Sequence, residues 1–111
     1  MKNFIQLVLL VAFSTVLTAQ NTVTFQVDMN DYAGSFTTVY VSGDFNGWSG
    51  NANAMSDPNS DGVWEVSLPL TQDSIEFKYT LDNWAGQENL TAGTTCTKTS
   101  FGFTNRFLIK S

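Results

Sequence analysis

Residues 74–81 read Ser74-Ile75-Glu76-Phe77-Lys78-Tyr79-Thr80-Leu81. Ile75, Phe77, Tyr79 and Leu81 recur at every second position, with Glu76, Lys78 and Thr80 between them. That period belongs to a strand with one face against a core, because successive strand side chains point to opposite faces. The same alternation runs through Val23, Phe25, Val27 and Met29, set against Thr24, Gln26 and Asp28. It returns at Val39 and Val41, opposite Thr38, Tyr40 and Ser42. It continues through Trp64, Val66, Leu68 and Leu70, where Pro69 sits on the other face near a strand end that tolerates it. A last run places Phe103, Asn105, Phe107 and Ile109 on one face and Thr104, Arg106 and Leu108 on the other. No stretch has helical periodicity. Residues 49–62 read as a long polar loop interrupted by Met55, and residues 84–100 as a polar loop of turns. Short strands separated by turn clusters predict an all-β, antiparallel β-sandwich.

The N-terminus reads as a leader rather than as part of this fold. Met1-Lys2-Asn3 is a short positive start, Phe4 to Leu17 is almost unbroken apolar sequence, and Thr18-Ala19 supplies a small residue at a cleavage point. This predicts a secretory signal peptide over residues 1–19 and one domain over residues 20–111. The apolar run is short for a membrane span, which takes about 20 residues. Export to a periplasmic or extracellular space is expected, with no membrane insertion after cleavage. Residues 20–111 hold four cations, Lys78, Lys98, Arg106 and Lys110, against ten acids, a formal balance of −6. Such a surface repels phosphate backbones and anionic lipid, which excludes nucleic acid as a natural partner. Neutral ligands meet no such barrier. Cys96 is the only cysteine, so no intrachain disulfide exists, and a buried or half-buried thiol is expected. The chain contains no histidine, which removes the commonest general base and transition-metal ligand.

Two tryptophans stand apart from the alternation. Trp48 closes the turn Gly43-Asp44-Phe45-Asn46-Gly47-Trp48 directly after a strand. Trp84 follows the clearest strand and the turn pair Asp82-Asn83. Neither has apolar sequence neighbours with which to build a core, whereas Asn83 and Gln87 surround Trp84 with amide hydrogen-bonding groups. Exposed aromatics mark interaction surfaces, and a pyranose ring is a flat partner for them. Trp64, on a face with Val66 and Leu68, is expected in the core. Lys78 alternates away from Phe77 and Tyr79 and is expected to be solvent-accessible, either paired loosely with Glu76 or Asp82 or touching a ligand. Asn105 shares its face with Phe103 and Phe107 and needs a partner, backbone or sugar. Arg106, facing the other way, is a further candidate for bidentate contact. Asp57-Pro58-Asn59-Ser60-Asp61-Gly62 has oxygen ligands at alternate positions before a glycine, as a calcium loop begins. The closing glutamate would fall at Leu68 and is absent. The segment is therefore read as an ordinary turn, with calcium on Asp57, Asn59 and Asp61 as its alternative. No cofactor is expected.

Taken in order, Gly43-Asp44-Phe45-Asn46-Gly47-Trp48, then Phe77-Lys78-Tyr79 with Asp82-Asn83-Trp84, then Gly102-Phe103-Thr104-Asn105 form a recognisable series. It resembles the glycogen- and starch-binding modules of the early-set immunoglobulin-like type: the isoamylase N-terminal domain and the glycogen-binding domain of the AMP-activated kinase β subunit. The resemblance runs from about Val39 to Ile109. It implies an early-set immunoglobulin-like sandwich in which Trp48 and Trp84 stack on glucose units. It further implies that Lys78 and Asn105 bond sugar hydroxyls and that Phe101 braces the sugar. Phe103 departs from the pattern, standing where the glycogen binders carry a small hydroxylated residue. The chain also looks like small domains of exported bacterial proteins that accompany glycan-degrading enzymes, so such an enzyme is a possible partner.

The function expected is non-catalytic binding of a neutral glucan-type polysaccharide through Trp48 and Trp84, oriented by Lys78, Asn83, Gln87 and Asn105. The alternative is a structural or adhesive immunoglobulin-like domain that contacts protein and has no sugar site. A glycoside hydrolase needs two convergent carboxylates, and the acids here are scattered singly over turns and strand ends. No enzyme is expected.

Overall fold

The computed structural model describes residues 21–110, and the expected leader lies outside them. Among the described residues are seven strands and no helix. They are β1 (Asn21–Asp28), β2 (Val39–Gly43), β3 (Val63–Leu70), β4 (Ser74–Leu81), β5 (Gly86–Gln87), β6 (Thr97–Ser100) and β7 (Phe103–Ile109). β1 and β3 form a two-stranded antiparallel sheet. The second sheet runs β2-β4-β7-β6, with β5 also on β4. The two sheets face one another as an immunoglobulin-like β-sandwich.

The period-two pattern places the core where the sequence predicts it. Phe25, Val39, Val41, Leu70, Ile75, Tyr79 and Leu81 are buried between the sheets. Phe25 stacks on Phe45 at 5.6 Å between ring centroids and meets Phe77 edge-on at 5.0 Å. Trp64 packs half-buried against this core, edge-on to Phe36 at 5.7 Å. The Tyr79 hydroxyl crosses between the sheets, donating to the Gln26 carbonyl of β1 at 2.9 Å.

Residues 49–62 are not simply a loop. The Val41 N–H donates to the Asn53 carbonyl at 3.1 Å, and the Met55 N–H to the Val39 carbonyl at 2.8 Å. Ser56 and Glu65 then exchange bonds at 3.0 and 2.9 Å. Residues 53–56 therefore leave the edge of β2 for the edge of β3 and tie the two sheets together. Met55, buried on the way, is their single apolar anchor. Residues 84–100 likewise contain β5 and β6. β6 reads Thr-Lys-Thr-Ser, with no apolar face for a pattern to reveal. Cys96 is exposed rather than buried; it lies at positive φ (61°) in the turn immediately before β6.

β7 supplies two further corrections. Its register sets Leu108 beside Ile75 and Arg106 beside Phe77, so Arg106 and Leu108 face inward and the aromatic side of β7 faces outward. Arg106 is thus turned away from the face of Phe103 and Phe107, with its side chain still 41% exposed. It makes a bidentate ion pair with Glu88, both guanidinium–carboxylate bonds from Nε being 2.9 Å, and lies over the Tyr79 ring at 5.4 Å. Hydrogen bonding to Glu88 holds the guanidinium more firmly protonated than usual. β4 and β7 pair only from Ser74 to Phe77. Beyond that they part, and β5 takes the edge of β4 at Thr80 and Leu81. Glu88 fills the resulting fork: its carboxylate accepts from the Tyr79 N–H at 3.0 Å, and its own N–H donates to the Tyr79 carbonyl at 3.3 Å.

Two outcomes are expected from this packing. Met55→Ala should lower unfolding free energy by about 2–5 kcal/mol, the usual cost of truncating a buried large apolar side chain, measured by urea denaturation. Burial, opposed in part by Arg106, pushes the Tyr79 hydroxyl from 10.0 to about 12. The unfolded chain then releases this proton before the native one does. Stability present below pH 10 is therefore lost as pH rises toward 12. Tyr79→Phe should flatten that part of the stability profile relative to the wild type; identical alkaline slopes would contradict it.

Candidate functional site

The outward face of the larger sheet carries a cleft of about 590 Å³, within the ~300–1,000 Å³ range usual for ligand sites. The turn after β2 brings Trp48 to it. In that turn Asn46 acts as a spool: its Oδ1 accepts from the Gly43 N–H at 3.0 Å and the Ser49 N–H at 3.3 Å. Its Nδ2 donates to the Val41 carbonyl at 3.1 Å and to Asn53 Oδ1 at 2.7 Å. The Trp48 N–H closes the loop on the Gly43 carbonyl at 2.9 Å. Thus held, Trp48 adopts φ 61°.

Trp84 arrives by a different route. Asp82, Asn83 and Trp84 are consecutive left-handed residues, with φ of 49°, 59° and 66°. The Asp82 carboxylate fixes the start of this turn by accepting from the backbone N–H groups of Thr37 and Thr38. The Trp84 indole N–H then donates to the Trp48 carbonyl at 3.3 Å, linking the two turns. Gly50 makes room for the ring. A β-carbon there would lie 2.3 Å from Trp84 Cδ1. Trp84 remains 37% exposed.

The opposite wall is the β6–β7 hairpin. Phe101 and Gly102 form its two-residue turn, both at positive φ (53° and 83°). Such turns favour Asn, Asp or Gly. A phenylalanine here, 99% exposed, accepts backbone strain and water contact together. Phe103, 66% exposed, continues the wall. Between the walls lie Glu76 and Lys78 of β4 and Asn105 of β7.

Of the seven residues named from sequence, Trp48, Trp84, Lys78, Asn105, Gln87 and Phe101 all line this cleft. Asn83 does not; its side-chain oxygen lies beside Gly50. Lys78 is not solvent-accessible as expected. It is 7% exposed, and its ammonium donates to Gln87 Oε1 at 3.3 Å, because β5 folds back beside β4. Neither carboxylate suggested for Lys78 is its partner. Glu76 instead accepts from Asn105 Nδ2 at 3.4 Å and pairs with Lys98 at 3.6 Å. Asp82 is committed to backbone. Asn105 is 7% exposed, so its partner is the Glu76 side chain.

Asp44, Glu76, Lys98, Ser100 and Phe103 also line the cleft and were not named as site residues. Only Phe103 carried a sequence signal, its departure from the family pattern. The lining holds two carboxylates and two ammonium groups, so its formal charges cancel. Asp44 and Glu76 do share the cleft, contrary to the scatter expected of the acids. Both are engaged, Asp44 by Gln72 Nε2 and the Glu76 N–H, each at 3.2 Å.

The turn at Asp57, Asn59 and Asp61 spends its oxygens on its own backbone. Asp57 accepts from the N–H groups of Asp61 at 3.1 Å and Gly62 at 2.9 Å, and Asp61 from that of Val63 at 2.9 Å. The Val63 bond leads in holding the Asp61 carboxyl below its ordinary value. Asn59 Nδ2 donates to Asp61 at 3.3 Å. Among the described residues, no three His, Cys, Asp or Glu side chains gather as a metal site.

Residues 16–93 match the family described as carbohydrate-binding module 48, the isoamylase N-terminal domain. The chain belongs to that family. A module of this family is a carbohydrate-binding, non-catalytic domain. The match includes Trp48, Lys78, Asn83, Trp84 and Gln87 and ends before β6, so Phe101, Phe103 and Asn105 lie beyond it. Three 1,4-alpha-glucan branching enzymes are similar over short segments. That of Saccharophagus degradans is 36% identical over 55 residues, 50% of this chain and 8% of the enzyme. That of Myxococcus xanthus is 35% identical over 52 residues, 47% and 7%. That of Nocardia farcinica is 46% identical over 41 residues, 37% and 6%. The module thus spans less than a tenth of the length of these relatives.

The contact beneath Trp84 gives a direct check on the site's construction. Gly50→Ala should displace the indole and break its bond to the Trp48 carbonyl while the fold persists. Near-UV circular dichroism should then change, and acrylamide should quench tryptophan fluorescence more strongly. Unchanged spectra would show that the ring does not rest on Gly50.

Proposed function

We propose that this module binds a neutral glucan-type polysaccharide without catalysis, through aromatic stacking in the cleft. The observation that carries the reading is the convergence of Trp48, Trp84 and Phe101 around Lys78 and Asn105 in a cleft whose charges cancel. Trp48 and Trp84 offer their ring faces to the apolar faces of successive pyranoses. Lys78 and Gln87 are already bonded to one another and retain donor and acceptor capacity for sugar hydroxyls. Asn105 does the same from the cleft floor, and Phe101 braces the chain from the hairpin wall. The cleft is open, so the polymer stays partly solvated. Affinity per site is then micromolar to millimolar, about −8 to −4 kcal/mol.

The proposal includes export, on the strength of the leader-like residues 1–19, and action alongside an enzyme that works on the same polymer. The similarity of this segment to small parts of glucan branching enzymes supports that partnership. A second reading, a protein-contact domain, is favoured by the exposure of Phe101 and Phe103 on one hairpin.

Titration with soluble α- and β-glucans, followed by tryptophan fluorescence, separates the two. At least one glucan should give a saturable change that is nearly insensitive to salt. Trp48→Ala and Trp84→Ala should each weaken binding by about tenfold or more, the factor given by ~1.4 kcal/mol of lost contact. No response to any glucan would favour the protein-contact reading, and full affinity in both variants would overturn stacking on Trp48 and Trp84.

A further inference from the structure

Ser42 is the orphan of the binding face. It is 0% exposed, and among the described residues its hydroxyl is the one buried side-chain polar atom with no hydrogen-bond partner. A buried hydroxyl left unpaired costs stability, and an alanine would sit in the same strand without that cost. The hydroxyl therefore calls for a reason. The pairing of β2 with β4 sets Ser42 directly opposite Lys78. Opposite residues of an antiparallel pair share a face, so Ser42 points to the outward side with Lys78 and lies beside the cleft without lining it. Thr80, on the same face of β4, shows how this layer is closed over. It too is 0% exposed, but its hydroxyl has a partner, the Gly50 carbonyl at 3.3 Å.

Lys78 has protons to spare. Its ammonium carries three donors and makes one hydrogen bond, to Gln87 Oε1 at 3.3 Å, longer than the ~2.7–3.2 Å usual for such a bond. The β-carbons of directly opposite residues lie about 4.5–5.5 Å apart. A lysine stem covers that distance by rotating its own torsions, with no change in β4. The ammonium thus has two acceptors on different strands, Gln87 on β5 and Ser42 on β2. Glu76, the nearest carboxylate along β4, is already taken by Asn105 and Lys98. We propose that Ser42 is a positioning residue for the glucan site. In the free protein Lys78 holds Gln87, and Ser42 waits unpaired. When a sugar hydroxyl engages Gln87, the ammonium turns to Ser42 Oγ and keeps another proton for the sugar. That bond is absent before binding and present after it, so its whole worth goes into affinity. Ser42 touches no sugar and acts through Lys78. The inference rests on the main cleft being the glucan site and deepens that reading.

The test is a double-mutant cycle, read by isothermal titration calorimetry with maltoheptaose, cellohexaose and laminarihexaose. The wild type is compared with Ser42→Ala, Lys78→Met and the double variant. With whichever oligosaccharide binds, Ser42→Ala should weaken binding about tenfold, the lower end of what a hydrogen bond to a charged group is worth. Lys78→Met should also weaken it, and adding Ser42→Ala to that variant should cost nothing more. Without ligand, Ser42→Ala should melt about 4 °C or more above the wild type, because the orphaned hydroxyl is gone. Affinity and stability then change in opposite directions, which a merely structural serine would not produce. Full affinity in Ser42→Ala, an equal loss in both backgrounds, or a lowered melting temperature would each overturn the role of Ser42 and leave the main cleft standing. Failure of the wild type to bind any of the three would overturn the glucan reading, and this one with it.

Discussion

The Glu88 carboxylate stands where β4 would otherwise meet β7, and the binding face is arranged around it. The sheet ladder stops at Phe77 and Arg106, leaving the Tyr79 N–H in need of an acceptor. A buried N–H left unpaired is costly, and a half-buried arginine over the Tyr79 ring gains from a counter-charge. Glu88 answers both at once, bonding the Tyr79 N–H and the Arg106 guanidinium. With the fork plugged from within, β5 can return beside β4 and carry Gln87 to Lys78. On the outward side the same divergence leaves open space between Lys78 and Phe103. One charged contact therefore separates the strands, orders the segment that crosses between them and shapes the cleft.

The cleft is also where the backbone is least relaxed. Trp48, Asp82, Asn83, Trp84 and Phe101 all have left-handed φ values, a region that bulky residues seldom occupy. Such residues cost of order 1–3 kcal/mol each and persist when their surroundings over-determine them. Here the surroundings are the Asn46 spool, the Asp82 bonds to Thr37 and Thr38, and the β6–β7 ladder. These contacts fix the backbone that carries three aromatic rings before any ligand arrives, so less ordering entropy is left to lose on binding. That matters for a shallow site. A few stacked rings give useful affinity only when they are already in place.

Much of this was legible in the sequence, and the parts that were not share a cause. β1, β3 and β4 each have one buried face, so their alternation announces them. β6 has no apolar face, and residues 53–56 change partner midway, so neither leaves a periodic trace. Trp48 and Trp84 could be singled out because they break the alternation in polar company. The burial of Lys78 could not be foreseen, since it depends on β5 folding back beside β4. Arg106 faces away from Phe103 and Phe107 as expected, but its partner Glu88 could not be foreseen, since it comes from a segment with no readable pattern. Asn83 was rightly placed beside Trp84 in the chain, yet its left-handed backbone sends it toward Gly50 instead of the cleft. Residues that act through local pattern were found. Those positioned by distant partners needed the fold.

The backbone strain at Trp48 and Trp84 has its clearest purpose if these two rings, and not the core ring of Trp64, meet the polysaccharide. The three tryptophans give three indole N–H signals in a nitrogen-correlated NMR spectrum, which can be followed during a glucan titration. The signals of Trp48 and Trp84 should move together along one saturation curve while that of Trp64 stays fixed. Movement of Trp64 alone, or stationary Trp48 and Trp84 signals under conditions where the glucan demonstrably binds, would place the ligand elsewhere on the molecule.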